Sequence, residues 1–236
     1  MKKTILIFVA FLTFQAQAQK IYLKSGEIQA SANVGRIDNF NQWQTSQFNQ
    51  QVYCLVQFSA STSQQDRNEI SKETGIQFFD YIPRWAFIAS IPASTDVNQL
   101  NKYGIKNILP YEAKYKLSKQ LMDRPLPDWI QKPGNEVEIL IYTYANISNE
   151  QVISELKKHD YAFIAWQSES IAKVQIKESQ IEAIAQLPWV KIVIATDAPG
   201  KLENDRGRTD HRMNNIDADY ATGLHYDGKG ISVAVG

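Results

Sequence analysis

The chain has little from which to build covalent or metal chemistry. Of its 236 residues one is cysteine, Cys54, so no intrachain disulfide can form and C-x-x-C redox or zinc motifs are excluded. Cys54 lies between Tyr53 and Leu55 in an apolar run, where a buried core thiol is the expected role. The three histidines, His159, His211 and His225, are scattered, and a metal site needs clustered ligands. Neither a G-x-G-x-x-G stretch nor a P-loop occurs. The Lys/Arg-Gly-Phe-like strand of RNA-binding sheets is absent too. Charge of one sign is not in excess: 25 Lys and Arg stand against 25 Asp and Glu, which gives no reason to expect a nucleic acid or an acidic membrane as partner. A hydrophobic fraction of 44% with 21% charged residues is ordinary for globular domains and excludes wholesale disorder.

The only long apolar run is at the start. Met1-Lys2-Lys3 is followed by apolar Thr4 to Phe14 and by Gln15-Ala16-Gln17-Ala18, whose small residues suit a signal peptidase. The run is shorter than the ~20 residues of a spanning helix. Residues 1–18 are therefore expected to be a signal peptide cleaved after Ala18, leaving a secreted, extracytoplasmic protein with no membrane association after cleavage. Residues 19–51 form a polar N-terminal segment with one strand candidate, Lys20 to Leu23, and no function assigned.

From Val52 the chain repeats itself. An offset of 85 links Val52 to Val137, Ile91 to Ile176, Ile105 to Val190, Lys106 to Lys191 and Leu117 to Leu202. Each copy reads strand, helix, two strands, helix, strand. The expected class is α+β, with two tandem ferredoxin-like (βαββαβ) units over 52–118 and 137–198. Between them, residues 119–136 carry three prolines and suit an extended linker. In the second copy Ser148 and Gln151 predict a capping box with Ile147 and Val152 as its staple, and Ser179 with Glu182 predicts another. In the first copy the helix Ser63 to Thr74 has Ile70 as its single strong apolar anchor and ends at Gly75. Trp85, Phe87, Trp166 and Trp189 are expected to pack in the core or on a sheet face. Asn146-Ile147-Ser148, formally a glycosylation sequon, reads as the helix cap.

The chain ends on Gly228-Lys229-Gly230, turn chemistry, followed by Ile231, Val233 and Val235 alternating with small residues, as in a buried strand. This strand lacks neighbours and reads as the opening of a domain lying mostly beyond it. Tyr226 to Gly236 resembles the stretch that opens the catalytic domain of subtilisin-like serine proteases, and Asn215-Ile216-Asp217-Ala218-Asp219-Tyr220 resembles the segment before it. The order of signal peptide, ferredoxin-like units, polar linker and this strand is also that of precursors in the family, although two units depart from the usual single propeptide. The resemblance implies a processing linker at 199–215 and the first strand of a truncated α/β subtilisin-like domain at 216–236. The catalytic Asp would fall just beyond Gly236. The chain itself then holds no catalytic, cofactor-binding or metal residue, His211 and His225 precede the Asp and are not the base, and calcium would belong to the downstream domain. The implied parent is a serine endopeptidase acting on peptides or proteins. This segment, inactive alone, would serve its own catalytic domain as intramolecular chaperone and inhibitor, its tail Ala195 to Gly200 lying across the cleft. The alternative is a secreted binding protein of two such units without catalytic activity.

Overall fold

The computed structural model describes residues 19–23, 26–30, 43 and 45–200. The expected signal peptide, the processing linker beyond Gly200, His211, His225 and the segment 216–236 lie outside the described residues. A hairpin of β1 (Gln19–Leu23) and β2 (Gly26–Ala30) comes first. Then follow β3 (Gln47–Phe48), β4 (Gln51–Phe58), α1 (Gln64–Thr74), β5 (Gln77–Ile82), β6 (Ala86–Pro92), a 3-10 helix Val97–Tyr103 and β7 (Ile105–Pro110). Short helices α2 (Ala113–Lys116) and α3 (Lys119–Met122) and a 3-10 turn, Asp128–Ile130, lead onward. The second half is β8 (Gln131–Lys132), β9 (Glu136–Thr143), α4 (Asn149–Lys158), β10 (Ala162–Ser168), β11 (Ile171–Lys177), α5 (Ile181–Gln186) and β12 (Val190–Ala195).

The class is α+β, with two antiparallel five-stranded sheets. One is ordered β5-β6-β4-β7 with β3 on β4, the other β10-β11-β9-β12 with β8 on β9. The offset of 85 carries β4 onto β9, β6 onto β11 and β7 onto β12. Register follows it: Val52 faces Ile91 as Val137 faces Ile176, and Leu55 faces Leu109 as Leu140 faces Ile194. Even the irregularity repeats. Lys106 is the extra residue where β7 bulges against β4, and Lys191 is the extra residue where β12 bulges against β9.

The helix starts repeat as well. In α4 the Ser148 hydroxyl accepts from Gln151 N at 3.3 Å while Gln151 Oε1 accepts from Ser148 N at 3.0 Å. In α1 the Ser63 hydroxyl accepts from Asp66 N at 3.1 Å and the Asp66 carboxylate accepts from Ser63 N at 3.0 Å. The first box is easily missed in the sequence because a shorter acid replaces Glu or Gln at the third position. The box expected from Ser179 and Glu182 does not form. Strand β11 runs to Lys177 and turns at once, so the first N–H needing a partner is that of Lys177, which Gln180 Oε1 accepts at 3.0 Å. Helix α1 ends on Gly75 at φ +75, where a Cβ would meet Pro92 Cγ at 3.0 Å; Asp160 takes the equivalent left-handed position at φ 57.

Residues 119–136 are not the extended linker expected from their prolines. The prolines bound short turns, and the apolar residues between them are used: Leu121, Leu126 and Ile130 are all buried. Two hydrophobic clusters result. One lies between the first sheet and its helices, around Val52, Cys54, Val56, Ile70 and Leu100. The other is larger. It joins the helix side of the second sheet to the opposite face of the first, placing Tyr53, Leu55 and Leu109 in one core with Tyr144, Leu156 and Val193.

Candidate functional site

The surface singled out by the sequence is the second sheet with the segment that follows Ile194. Directly opposed residues of an antiparallel sheet share a face. Ile171, Tyr142 and Ile192 therefore form one row across β11, β9 and β12, and Lys173, Leu140 and Ile194 the next. The alternating residues Val137, Ile139, Ile141 and Thr143 are buried toward α4 and α5, whereas Leu140, Tyr142, Ile171, Ile192 and Ile194 are only half-buried. This face is an apolar strip with one charged margin. Glu138 pairs with Lys173 at 2.6 Å and Lys132 at 3.3 Å, and Glu136 accepts from Gln175. The Lys173 hydrogen bond, with a smaller contribution from Lys132, holds the Glu138 carboxyl below its usual range against a modest desolvation cost.

The outer edge of β12 is partly occupied. Leu117 bridges Val193 in parallel, and Ser118 N donates to Val193 O at 2.9 Å. Beyond the strand, Trp129 Nε1 donates to Thr196 O at 2.8 Å, and Asp197 to Gly200 are exposed without regular structure. An exposed segment thus follows the edge strand in the chain. That arrangement suits a folded partner or an added strand.

Two features escape the sequence. Lys116 sits in a lysine-rich stretch that reads as surface, yet it is 3% exposed. Its Nζ donates to Leu187 O at 2.9 Å, where α5 ends, and lies 5.7 Å from the centre of the Tyr111 ring. Loss of water pulls its pKa down to about 7. The other feature is Trp85, expected to be packed, which is 38% exposed on the β5–β6 turn. Phe87 and Trp189 are buried as expected, and so is Cys54, whose thiol burial pushes well up.

Among the described residues no group of three or more His, Cys, Asp or Glu comes together in a way that could hold a metal ion. No described helix is long and apolar enough to cross a membrane. In comparison with known proteins, a family described as "Domain of unknown function (DUF8729)" matches residues 22–112, a stretch that takes in the strands of the first five-stranded sheet and stops before those of the second. No curated protein matches the chain. No solved structure matches it either.

Proposed function

We propose that the chain is the N-terminal part of a secreted subtilisin-like serine endopeptidase precursor. In this reading residues 52–198 fold and then inhibit a catalytic domain that opens at 216–236. Each half is read as a ferredoxin-like unit; the βαββαβ order, and the orders β5-β6-β4-β7 and β10-β11-β9-β12, support it. The observation that carries the reading is the second sheet, packed on one face, half-exposed and apolar on the other, with an exposed tail leaving its edge strand. Covering that strip with surface helices of the protease removes apolar area from water. The tail can add to an edge strand at the cleft through main-chain hydrogen bonds, which accept any side-chain sequence. Binding the folded protease and not the unfolded one stabilises it by mass action, which is how an inhibitor also assists folding. The Asp-His-Ser triad expected for this class would lie beyond the chain, so the segment alone hydrolyses nothing.

N-terminal sequencing of the active enzyme is expected to find a start between Thr196 and Asn215, and mass spectrometry of the secreted precursor a start at Gln19. A mature start upstream of Val137 overturns the proposal. Added in trans, residues 19–198 should inhibit the mature enzyme, and Leu140→Asp with Ile192→Asp should weaken inhibition at least about tenfold while leaving the fold intact. Undiminished activity at excess 19–198 rules out an inhibitory role.

A second reading, a secreted two-unit binding protein, is favoured by one feature: an aromatic recess in the first half.

A further inference from the structure

That recess lies where the N-terminus of α1 meets the β5–β6 turn, with a volume of about 240 Å³ and walls of Ser61, Thr62, Arg67, Tyr81, Trp85 and Phe87. Tyr81 is 59% and Trp85 38% exposed, although neither belongs on a surface by hydrophobicity. The Tyr81 and Phe87 rings meet edge to face at 5.3 Å, and the Arg67 guanidinium lies over Phe87, 4.6 Å from the ring centre. The turn presenting Trp85 is strained: Arg84 at φ 73 and Trp85 at φ 60 occupy left-handed backbone that glycine would take more easily. A polar relay holds it there. Buried Asn107 donates to Gln57 Oε1 at 2.8 Å, and buried Gln57 donates to Arg84 O at 3.1 Å. Phe58 N fixes the next carbonyl, Trp85 O, at 2.9 Å.

The second half is an internal control. The same offset of 85 places Asn146, Ile147, Val152, Trp166, Ser170 and Ala172 at the six lining positions. There Ile147, Val152 and Ala172 are buried in the core, and the β10–β11 turn contains no left-handed residue. The duplicated fold does not need an opening at this place. In the first half Val is replaced by Arg, and a short turn by a strained one that carries an exposed indole.

Arg67 supplies the polarity of the ligand. Its Nη1 donates to Thr62 O at 2.7 Å and Thr62 Oγ1 at 3.4 Å, and its Nη2 to Gln64 Oε1 at 2.7 Å, all neutral oxygens. The neighbouring acid, Asp66, spends its carboxylate on the Ser63 N–H. A guanidinium held over a ring, with N–H groups left over, is pre-oriented for a carboxylate. Tyr81 and Trp85 offer flat faces to an aromatic ring. A cavity of ~150 Å³ accepts a benzene ring, so this recess has room for one ring with its carboxylate and not for an oligosaccharide. We infer that the first half binds a peptide C-terminus whose last residue is aromatic, the ring between Tyr81 and Trp85 and the terminal carboxylate on Arg67. The inference does not rest on the protease reading.

The test is calorimetric titration of the purified chain with N-acetyl-L-phenylalanine, its C-terminal amide and glucuronic acid. The acid should bind saturably and the amide about tenfold more weakly, as expected for loss of a charge-assisted pair. Arg67→Gln should erase the difference between acid and amide. Trp85→Gly should abolish binding of both while the urea midpoint stays level or rises, because glycine relieves the left-handed strain. Tyr81→Ser, at a more exposed position, gives the same binding loss should Trp85→Gly disturb the turn. Equal affinity for acid and amide overturns the inference, as does no saturable binding of either up to ~20 mM, a range that covers weak single-residue ligands. Binding of glucuronic acid in place of the aromatic acid makes the recess a carbohydrate site and overturns it too.

Discussion

The two halves share strand order, register, bulge and helix cap, yet they bury different surfaces. Toward the helices both sheets are apolar: Val52, Cys54 and Val56 in one, Val137, Ile139 and Ile141 in the other. The opposite faces differ. Tyr53, Leu55 and Ile88 of the first sheet are buried, whereas their equivalents Glu138, Leu140 and Lys173 are only half-buried, with Glu138 and Lys173 paired. The first sheet is covered on its second face by the other half: Tyr144 stacks on Tyr53 at 4.3 Å between ring centres, and Tyr53 donates to Asn146 Oδ1 at 3.3 Å. Lys191 reaches Asp80 at 3.0 Å across the same junction. The two copies share one topology, and the positions at which they differ decide which face is interior. One half is a sandwiched layer and the other has a half-buried second face.

Separating the halves should break the comparison most severely. Residues 52–118 alone would expose Tyr53, Leu55, Ile88 and Leu109 together, while 137–198 keep the core between their sheet and helices. Circular dichroism is expected to show an unfolded 52–118 and a cooperative melt for 137–198; a stably folded 52–118 would mean that its second face does not need the partner half.

Next in size is Tyr144, 1% exposed, stacked on Tyr53 and tilted against Phe79. Tyr144→Ala should cost about 3–5 kcal/mol in urea unfolding, in a single transition for both halves. Tyr144→Phe should be neutral or stabilising by up to ~1 kcal/mol, because the buried Tyr144 hydroxyl has no hydrogen-bond partner. Two separate transitions, with only one moved by Tyr144→Ala, would contradict a shared core.

Lys116 sharpens the comparison through pH, since it joins the segment after the first half to the end of α5. Its pKa falls from 10.5 to about 7 on burial, so between these values the unfolded chain binds more protons and stability rises with pH. The slope is at most about 1.4 kcal/mol per pH unit. It reverses above pH 10, where tyrosines such as Tyr53, pushed up to about 12 by burial, ionise more readily in the unfolded chain. Lys116→Met should raise stability at pH 7 and flatten the dependence between pH 7 and 10. A wild-type profile already flat there would show that the ammonium remains well solvated. The smallest effect is at the caps. Ser63→Ala and Ser148→Ala should each cost about 1 kcal/mol, and equally, since both boxes are complete. A much smaller cost for Ser63→Ala would mean that the two helix starts are not equivalent.

The sequence by itself determined the repeat and its elements. The apolar run from Val52, the alternation from Val137, the offset of 85 and the Ser148 cap are local signals, and local propensity and periodicity suffice to read them. It also marked Cys54 as a core thiol. Only the tertiary structure decided what covers each sheet. Tyr53 and Glu138 occupy equivalent strand positions, and no periodicity tells which will meet Tyr144, because that contact joins residues about ninety positions apart. For the same reason the prolines of 119–136 suggested a linker where Leu121, Leu126 and Ile130 are core, and nothing local marks Lys116, which is buried at the end of α5. Trp85 was expected to pack in the core or on a sheet face, yet it is 38% exposed on a turn. The relay from Asn107 through Gln57 to Arg84 holds it outside, since a hydrogen-bonded network linking two strands to a turn can impose a backbone that no local preference favours.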